Sequence, residues 1–200
     1  MDSSAIVTGI LRYIALNDIE VLYFKSLLLP LRVKQGQLVE TAGEITKYFI
    51  NVNTGCLMTY FSDRQGTDHV IQFATAGWWT GDLQSVSHQT PSIYSTKALA
   101  DSEIFLIPLE GMNELLDRYP KFERYFRILY QNSLITHQDR LIQNLSATAE
   151  ERYTKFLEKY PGMEQYVPLK YIASYLGFTP EFLSKIRRKI MEGGGKDVES

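Results

Sequence analysis

The spacing of apolar positions along this 200-residue chain changes character twice. Residues 6–16 and 19–29 carry mixed apolar spacing and read as two short helices. From residue 31 to 108 the texture becomes β-like. Gly recurs at Gly36, Gly43, Gly55, Gly66, Gly77 and Gly81, and between them lie β-prone runs at 47–52, 56–61, 69–73 and 103–107. Short strands with turn signals every roughly 8–12 residues predict an antiparallel sandwich or barrel. Asp63-Arg64-Gln65-Gly66 reads as the turn of a hairpin.

From Leu109 the period is helical. Residues 111–119 form one short helix, ended by Pro120, and residues 121–145 a long one. Twenty-five helical residues reach roughly 37 Å, more than a domain this small needs for its own core. The helix therefore either lies along the β-domain or pairs with a copy of itself. Phe122, Phe126, Leu129, Leu134, Leu141 and Leu145 are the expected pairing positions, in a pattern broken by Asn132, Ser133, Thr136 and His137. Residues 148–160 form a further amphipathic helix, with Thr148 and Glu151 at capping-box spacing and Pro161-Gly162 ending it.

The most informative segment is 167–190. Pro168 suits the first turn of a helix, and Leu169, Ile172, Ala173 and Leu176 make one apolar face. Gly177 supplies a left-handed stop, Phe178 plugs the corner, and Thr179-Pro180 starts a second helix three residues later. Two helices joined by so short a Gly-containing turn match a DNA-binding helix-turn-helix. On the second helix, Phe182, Leu183, Ile186 and Ile190 fall on one side. Glu181, Ser184, Lys185 and Arg188 fall opposite, flanked by Arg187 and Lys189. The expected DNA-binding residues are Thr179, Pro180, Glu181, Ser184, Lys185, Arg187, Arg188 and Lys189. Those in the first two turns would reach base edges and the later ones phosphate.

Charge supports this once it is divided. The whole chain is at −2, but residues 1–145 hold 12 Lys+Arg and 15 Asp+Glu, whereas residues 146–190 hold 8 and 5. A local basic surface is what phosphate neutralisation needs. Other classes fit less well. His69, His88 and His137 are scattered, no two at metal-ligand spacing, and no Gly-rich phosphate loop or nucleophile elbow is present, so neither an enzyme nor a metal site is expected. A protein-interaction module using its C-terminal helices is the alternative. Its outer face would then carry aromatic or Met anchors rather than Glu181, Ser184, Lys185 and Arg188. Cys56 is the only cysteine, so no intrachain disulfide forms. With no signal-peptide pattern and no apolar run near 20 residues, a cytoplasmic location without membrane contact is expected. Residues 192–200 read as a disordered tail.

The order of β-rich domain, long helix and helix-turn-helix resembles the Crp/Fnr family of transcription regulators. Val33-Lys34-Gln35-Gly36, Thr41-Ala42-Gly43-Glu44, Tyr48-Phe49-Ile50 running to Gly55, and Gly77-Trp78-Trp79-Thr80-Gly81-Asp82 look like parts of a cyclic-nucleotide-binding domain. Ile172 through Glu181 fits the family's helix-turn-helix. The resemblance implies an α+β chain: an antiparallel double-stranded β-helix (jelly-roll-like) sensor domain with N-terminal helices at 1–108, a connector and dimerisation helix at 109–145, and a helix-turn-helix domain at 146–191. It further implies a homodimer on palindromic double-stranded DNA, RNA polymerase as a partner, and an effector in the β-domain that tilts the DNA-binding helices. The effector positions it implies are Gly81, Asp82, Leu83, Ser92, Ile93, Thr136 and His137. The chain departs from the nucleotide-binding members at one decisive place. Where they carry a phosphate-binding Arg, this chain has a position near Ser92, and no Arg lies between Arg64 and Arg118. Cyclic AMP and cyclic GMP are therefore not expected ligands, and the effector is left open. Trp78, Trp79 and Tyr94 read either as core or as a ligand pocket, and the short stretch between Tyr160 and Pro168 leaves no room for the family's β-hairpin wing.

Overall fold

The computed structural model describes residues 1–193. Helices α1 (Ser4–Leu11) and α2 (Asp18–Ser26) come first. The first is shorter than its apolar pattern because Asn17 starts the next helix with a capping box to Glu20. The second stops before Leu29, which precedes Pro30 and so disfavours helix; the chain leaves it as strand β1 (Leu29–Val33).

Seven more strands follow: β2 (Leu38–Glu40), β3 (Tyr48–Thr54), β4 (Cys56–Ser62), β5 (Asp68–Thr75), β6 (Trp79–Thr80), β7 (Ser95–Ala98) and β8 (Ser102–Pro108). They form two four-stranded antiparallel sheets, ordered β1-β8-β3-β6 and β2-β7-β4-β5. Val33, Ile50, Val52, Leu57, Ala74 and Ile104 pack between the sheets. The hairpin between β4 and β5 turns at Gly66 (φ 80°), with Asp63 accepting from the Gln65 and Thr67 backbone N–H groups.

Both outer faces of this roll are covered, so β4 and β8 are apolar at consecutive positions rather than alternating. In β8, Ile104 points inward, while Phe105 and Ile107 join Ile10, Phe24, Met112, Leu115 and Phe122 outside. These come from α1, α2, α4 (Leu109–Arg118) and the start of α5 (Lys121–Ser146). Phe24 stacks on Phe122 at 5.6 Å, and Lys121 pairs with Glu20 at 2.8 Å. In β4, Leu57 points inward, and Cys56 and Met58 point to the opposite outer face.

That second outer face is where the C-terminal helices sit: α6 (Ala149–Lys159), α7 (Leu169–Leu176) and α8 (Pro180–Gly193). Phe73 of β5 is fully buried, with ring centroids 6.1, 5.9 and 5.2 Å from Phe156, Tyr160 and Tyr175. One apolar core thus runs from the roll into the last three helices. Burial also pushes the Cys56 thiol up to about 12, so it stays protonated and inert. Glu192 and Gly193 close α8 rather than opening the expected tail; the rest of that tail, 194–200, lies outside the described residues.

Candidate DNA-reading helices and effector crevice

The helix-turn-helix is built by local chemistry. Gly177 takes the left-handed conformation at φ 70°, and its N–H and that of Phe178 return to the Ser174 and Ala173 carbonyls. Thr179 then caps α8 by accepting from the Phe182 N–H at 3.2 Å. Leu183 and Ile186 are buried against α7 and Ile190 is partly so. Phe182 corrects the expected docking face: it is 46 % exposed and stacks edge-on with Phe178 at 5.4 Å. Between α6 and α7 lies one 3₁₀ turn, Met163–Gln165, with no strand among the described residues.

The polar residues of α8 separate into two groups. Glu181, Ser184, Lys185 and Arg188 are exposed, and Lys185 and Arg188 have no ion-pair partner among the described residues. Arg187 and Lys189 each face a carboxylate of the chain itself. Arg187 is half-buried 3.9 Å from Glu164, and Lys189 pairs with Glu150. The presented cationic face is therefore narrower than the run Lys185-Ile186-Arg187-Arg188-Lys189 suggests, because one helical face cannot hold consecutive residues.

The roll's interior is lined by hydroxyls and carboxylates. Thr59 is 2.9 Å from Thr80 and 3.1 Å from Thr96, and Thr96 donates to Glu40 at 2.8 Å. The other Glu40 oxygen is buried without a partner, and burial holds the carboxyl above its ordinary range. Asp82 caps α3 (Leu83–His88) by accepting from the Gln84 and Ser85 N–H groups, and accepts from the Ser92 hydroxyl at 2.8 Å. Ser92 is thus a buried partner of Asp82. Lys97 lies outside the roll, 3.5 Å from Asp68 and over the Tyr60 and Tyr171 rings.

Of the expected effector positions, the structure brings Gly81, Asp82, Leu83, Thr136 and His137 to one cavity of about 410 Å³. It does not bring Ser92 or Ile93 there: Ser92 is hydrogen-bonded inside the roll, and Ile93 is 64 % exposed. Trp78 and Trp79 serve both as core and as cavity wall, whereas Tyr94 does not line it. The cavity extends to Arg140, Lys159, Tyr160 and Tyr175, which sequence reasoning did not single out. Arg140 shares a helical face with Thr136 and His137, and that i, i+3, i+4 spacing was the available signal.

Arg140 is the structural centre of this crevice. It donates to the carbonyls of Ile71 at 2.7 Å, Val70 at 3.2 Å and Tyr175 at 2.6 Å, and lies 4.0 Å from the centre of the Tyr175 ring. Ser174 adds a bond to the Asp68 carbonyl at 2.8 Å and accepts from the Val70 N–H at 2.9 Å. Strand β5 is a sheet edge, and these two side chains occupy backbone groups that an edge would otherwise leave open. Arg152 donates to the Leu176 carbonyl, so two guanidiniums cap the C-terminus of α7.

Helix α5 corrects the expected pairing seam. Phe122 and Phe126 are buried in the molecule's own core, which takes them out of the seam, and Leu129 is partly buried beside them. Leu134, Leu141 and Leu145 are exposed, at 60, 59 and 79 %, beside equally exposed Ile135 and Ile142, which the sequence reading left out of the seam.

Residues 30–119 match the family described as "Cyclic nucleotide-binding domain". The chain is 23% identical over 180 residues to Electron transport regulator A of Shewanella oneidensis, covering 84% of this chain and 70% of that protein. It is 24% identical over 173 residues to the Fumarate and nitrate reduction regulatory protein of Salmonella typhi, covering 81% and 68%. Its fold is similar to that of FixK2 from Bradyrhizobium japonicum, with a TM-score of 0.73, 18% identity, and coverage of 84% and 86%. No helix among the described residues is long and apolar enough to cross a membrane. With the two-sheet roll, the long helix and the capped helix pair in this order, the chain resembles the Crp/Fnr family in fold, and residues 30–119 match the cyclic nucleotide-binding domain.

Proposed function

We propose that this protein is a sequence-specific DNA-binding transcription regulator that acts as a homodimer on a palindromic site and answers to a signal in its β-domain. The observation that carries the reading is the exposed face of α8. Glu181, Ser184, Lys185 and Arg188 stand on a helix whose other side is locked to α7, and its two cations are unpaired among the described residues. A helix divided this way can enter a major groove. Lys185 sits where guanine is reached, and Arg188 where phosphate is. The relatives' names as regulatory proteins support the same class. RNA polymerase is the implied partner, the cytoplasm the implied location, and the sensor and DNA-binding segments are read as 1–108 and 146–191, joined by 109–145. Cyclic AMP is not the implied effector.

Selection of sites from a random DNA pool at about 150 mM salt tests this, since the phosphate term is then held at physiological screening. The expected result is a palindromic consensus that a Lys185→Ala, Arg188→Ala double variant fails to enrich. Unbiased recovery by both proteins sinks the reading. The exposed apolar positions Leu134, Leu141 and Leu145 support pairing along this helix. Leu134→Glu with Leu141→Glu should convert a dimer to a monomer in sedimentation, while the far-ultraviolet signal of the roll and helices stays unchanged. A wild-type monomer at micromolar concentration counts against the dimer.

A further inference from the structure

We propose that Phe182 is a specificity-determining residue of α8, its ring seated on the C5-methyl group of one thymine in each half-site. The inference rests on the reading that α8 enters a major groove, and it names a base feature that the helix recognises there. Two independent observations carry it.

The first is where the ring stands. The core shared with the roll takes Leu183, Ile186 and Ile190 from α8 and leaves Phe182 46 % exposed. Met191, the other exposed large apolar side chain of the helix, stands toward its far end. Phe182 is in the first turn, the part of a recognition helix that reaches base edges. At about 100° per residue it lies about 60° around the helix from Lys185 and about 100° from Glu181, so it borders the polar face instead of opposing it.

The second is how the ring is supported. Phe178, in the turn, meets it edge-on with centroids 5.4 Å apart. The Arg152 guanidinium lies 4.5 Å from the centre of the Phe178 ring and donates to the Leu176 carbonyl. Thr179 accepts from the Phe182 N–H at 3.2 Å. The ring is therefore positioned before DNA arrives. With only two side-chain torsions to order, it loses little entropy on binding.

Chemistry then selects the partner. Lys185 and Arg188 beside the ring, unpaired among the described residues, call for a polyanion. In the major groove, guanine, adenine and cytosine display hydrogen-bond donors and acceptors, and thymine adds a methyl group. A phenyl ring pairs with no donor or acceptor, and a polar base edge that it covers loses water without gaining a partner. It gains from the methyl by burial. Phe182 thus attracts thymine and penalises the other bases at the step beside the one Lys185 reads.

The experiment uses the consensus duplex that the full chain recovers from the random pool. Each thymine is replaced in turn by uracil, which keeps the pairing and removes only the methyl. Anisotropy titration should find one thymine in each half-site whose replacement weakens binding about fourfold, the factor that one buried methyl is worth. Phe182→Ala should bind the thymine and uracil duplexes equally at that step. Phe182→Leu, which keeps an apolar contact, should retain most of the difference. Lys185→Ala should weaken binding to every duplex and leave the uracil ratio unchanged. A uracil scan with no sensitive position overturns the proposal, as does a penalty that survives in Phe182→Ala, which assigns the methyl contact to another side chain. Phe182→Ala that weakens all duplexes equally and keeps the wild-type ratio overturns it too. Failure of the wild-type chain to select any consensus sinks the reading of α8 and this proposal with it, whereas a consensus with a flat uracil scan removes this proposal alone.

Discussion

The roll interior and the crevice beside it are both places where a ligand could be sought, and they carry opposite charge. The interior holds Glu40 among threonine hydroxyls, and Asp82, bonded to Ser92, lies where the two regions meet. The crevice holds Arg140, Arg152, Lys155 and Lys159 beside aromatic rings. Strand pairing sets the shape of both regions, and the few side chains that face each one set its charge.

The largest expected effect comes from removing the cation that organises the crevice. Arg140→Ala leaves the Val70, Ile71 and Tyr175 carbonyls without their donor, which should cost about 3 kcal/mol in urea unfolding. Arg140→Lys should recover only part of that, since an ammonium lacks the planar fork that reaches three carbonyls. Full recovery by lysine would show that charge alone matters there.

A smaller effect is expected in the roll. Burial raises the folded-state pKa of Glu40 above its ordinary 4.5. Its protonated form is thus favoured by folding, and the stability this brings is present below about pH 4.5 and lost as pH rises through the folded value. Glu40→Gln should consequently raise the melting temperature at pH 7, with the gain shrinking toward pH 4. A gain that is constant with pH would assign it to packing instead.

The smallest effect is the one expected from cyclic AMP. With no guanidinium among the buried residues of the roll to neutralise its phosphate, about 1 mM ligand should stabilise the protein by less than ~0.4 kcal/mol, the value for a Kd of about 1 mM. Micromolar affinity in calorimetry would erase the contrast between the two regions.

Much of the architecture was legible along the chain. The capping box at Thr148–Glu151, the Gly66 turn, the Gly177 stop and the Thr179 cap act between residues a few positions apart, so the local sequence carries their geometry. The short strands β2, β6 and β7 were not legible, because two to four residues carry no period. Helix α3 was missed although Asp82 signals its start, because the same aspartate also fitted the family's ligand position.

What the chain determined by itself was its longer helices and strands and, Phe182 apart, the division of α8 into a docked and a presented face, both products of short-range spacing. Which side of α5 turns inward was decided only by tertiary packing. Phe122 and Phe126 went to the core with α1 and α2, and Leu134, Leu141 and Leu145 were left outside, although all are apolar on one helix. The crevice was decided there too. Arg140 meets carbonyls 69, 70 and 35 positions away, and no periodicity encodes a contact at such separations.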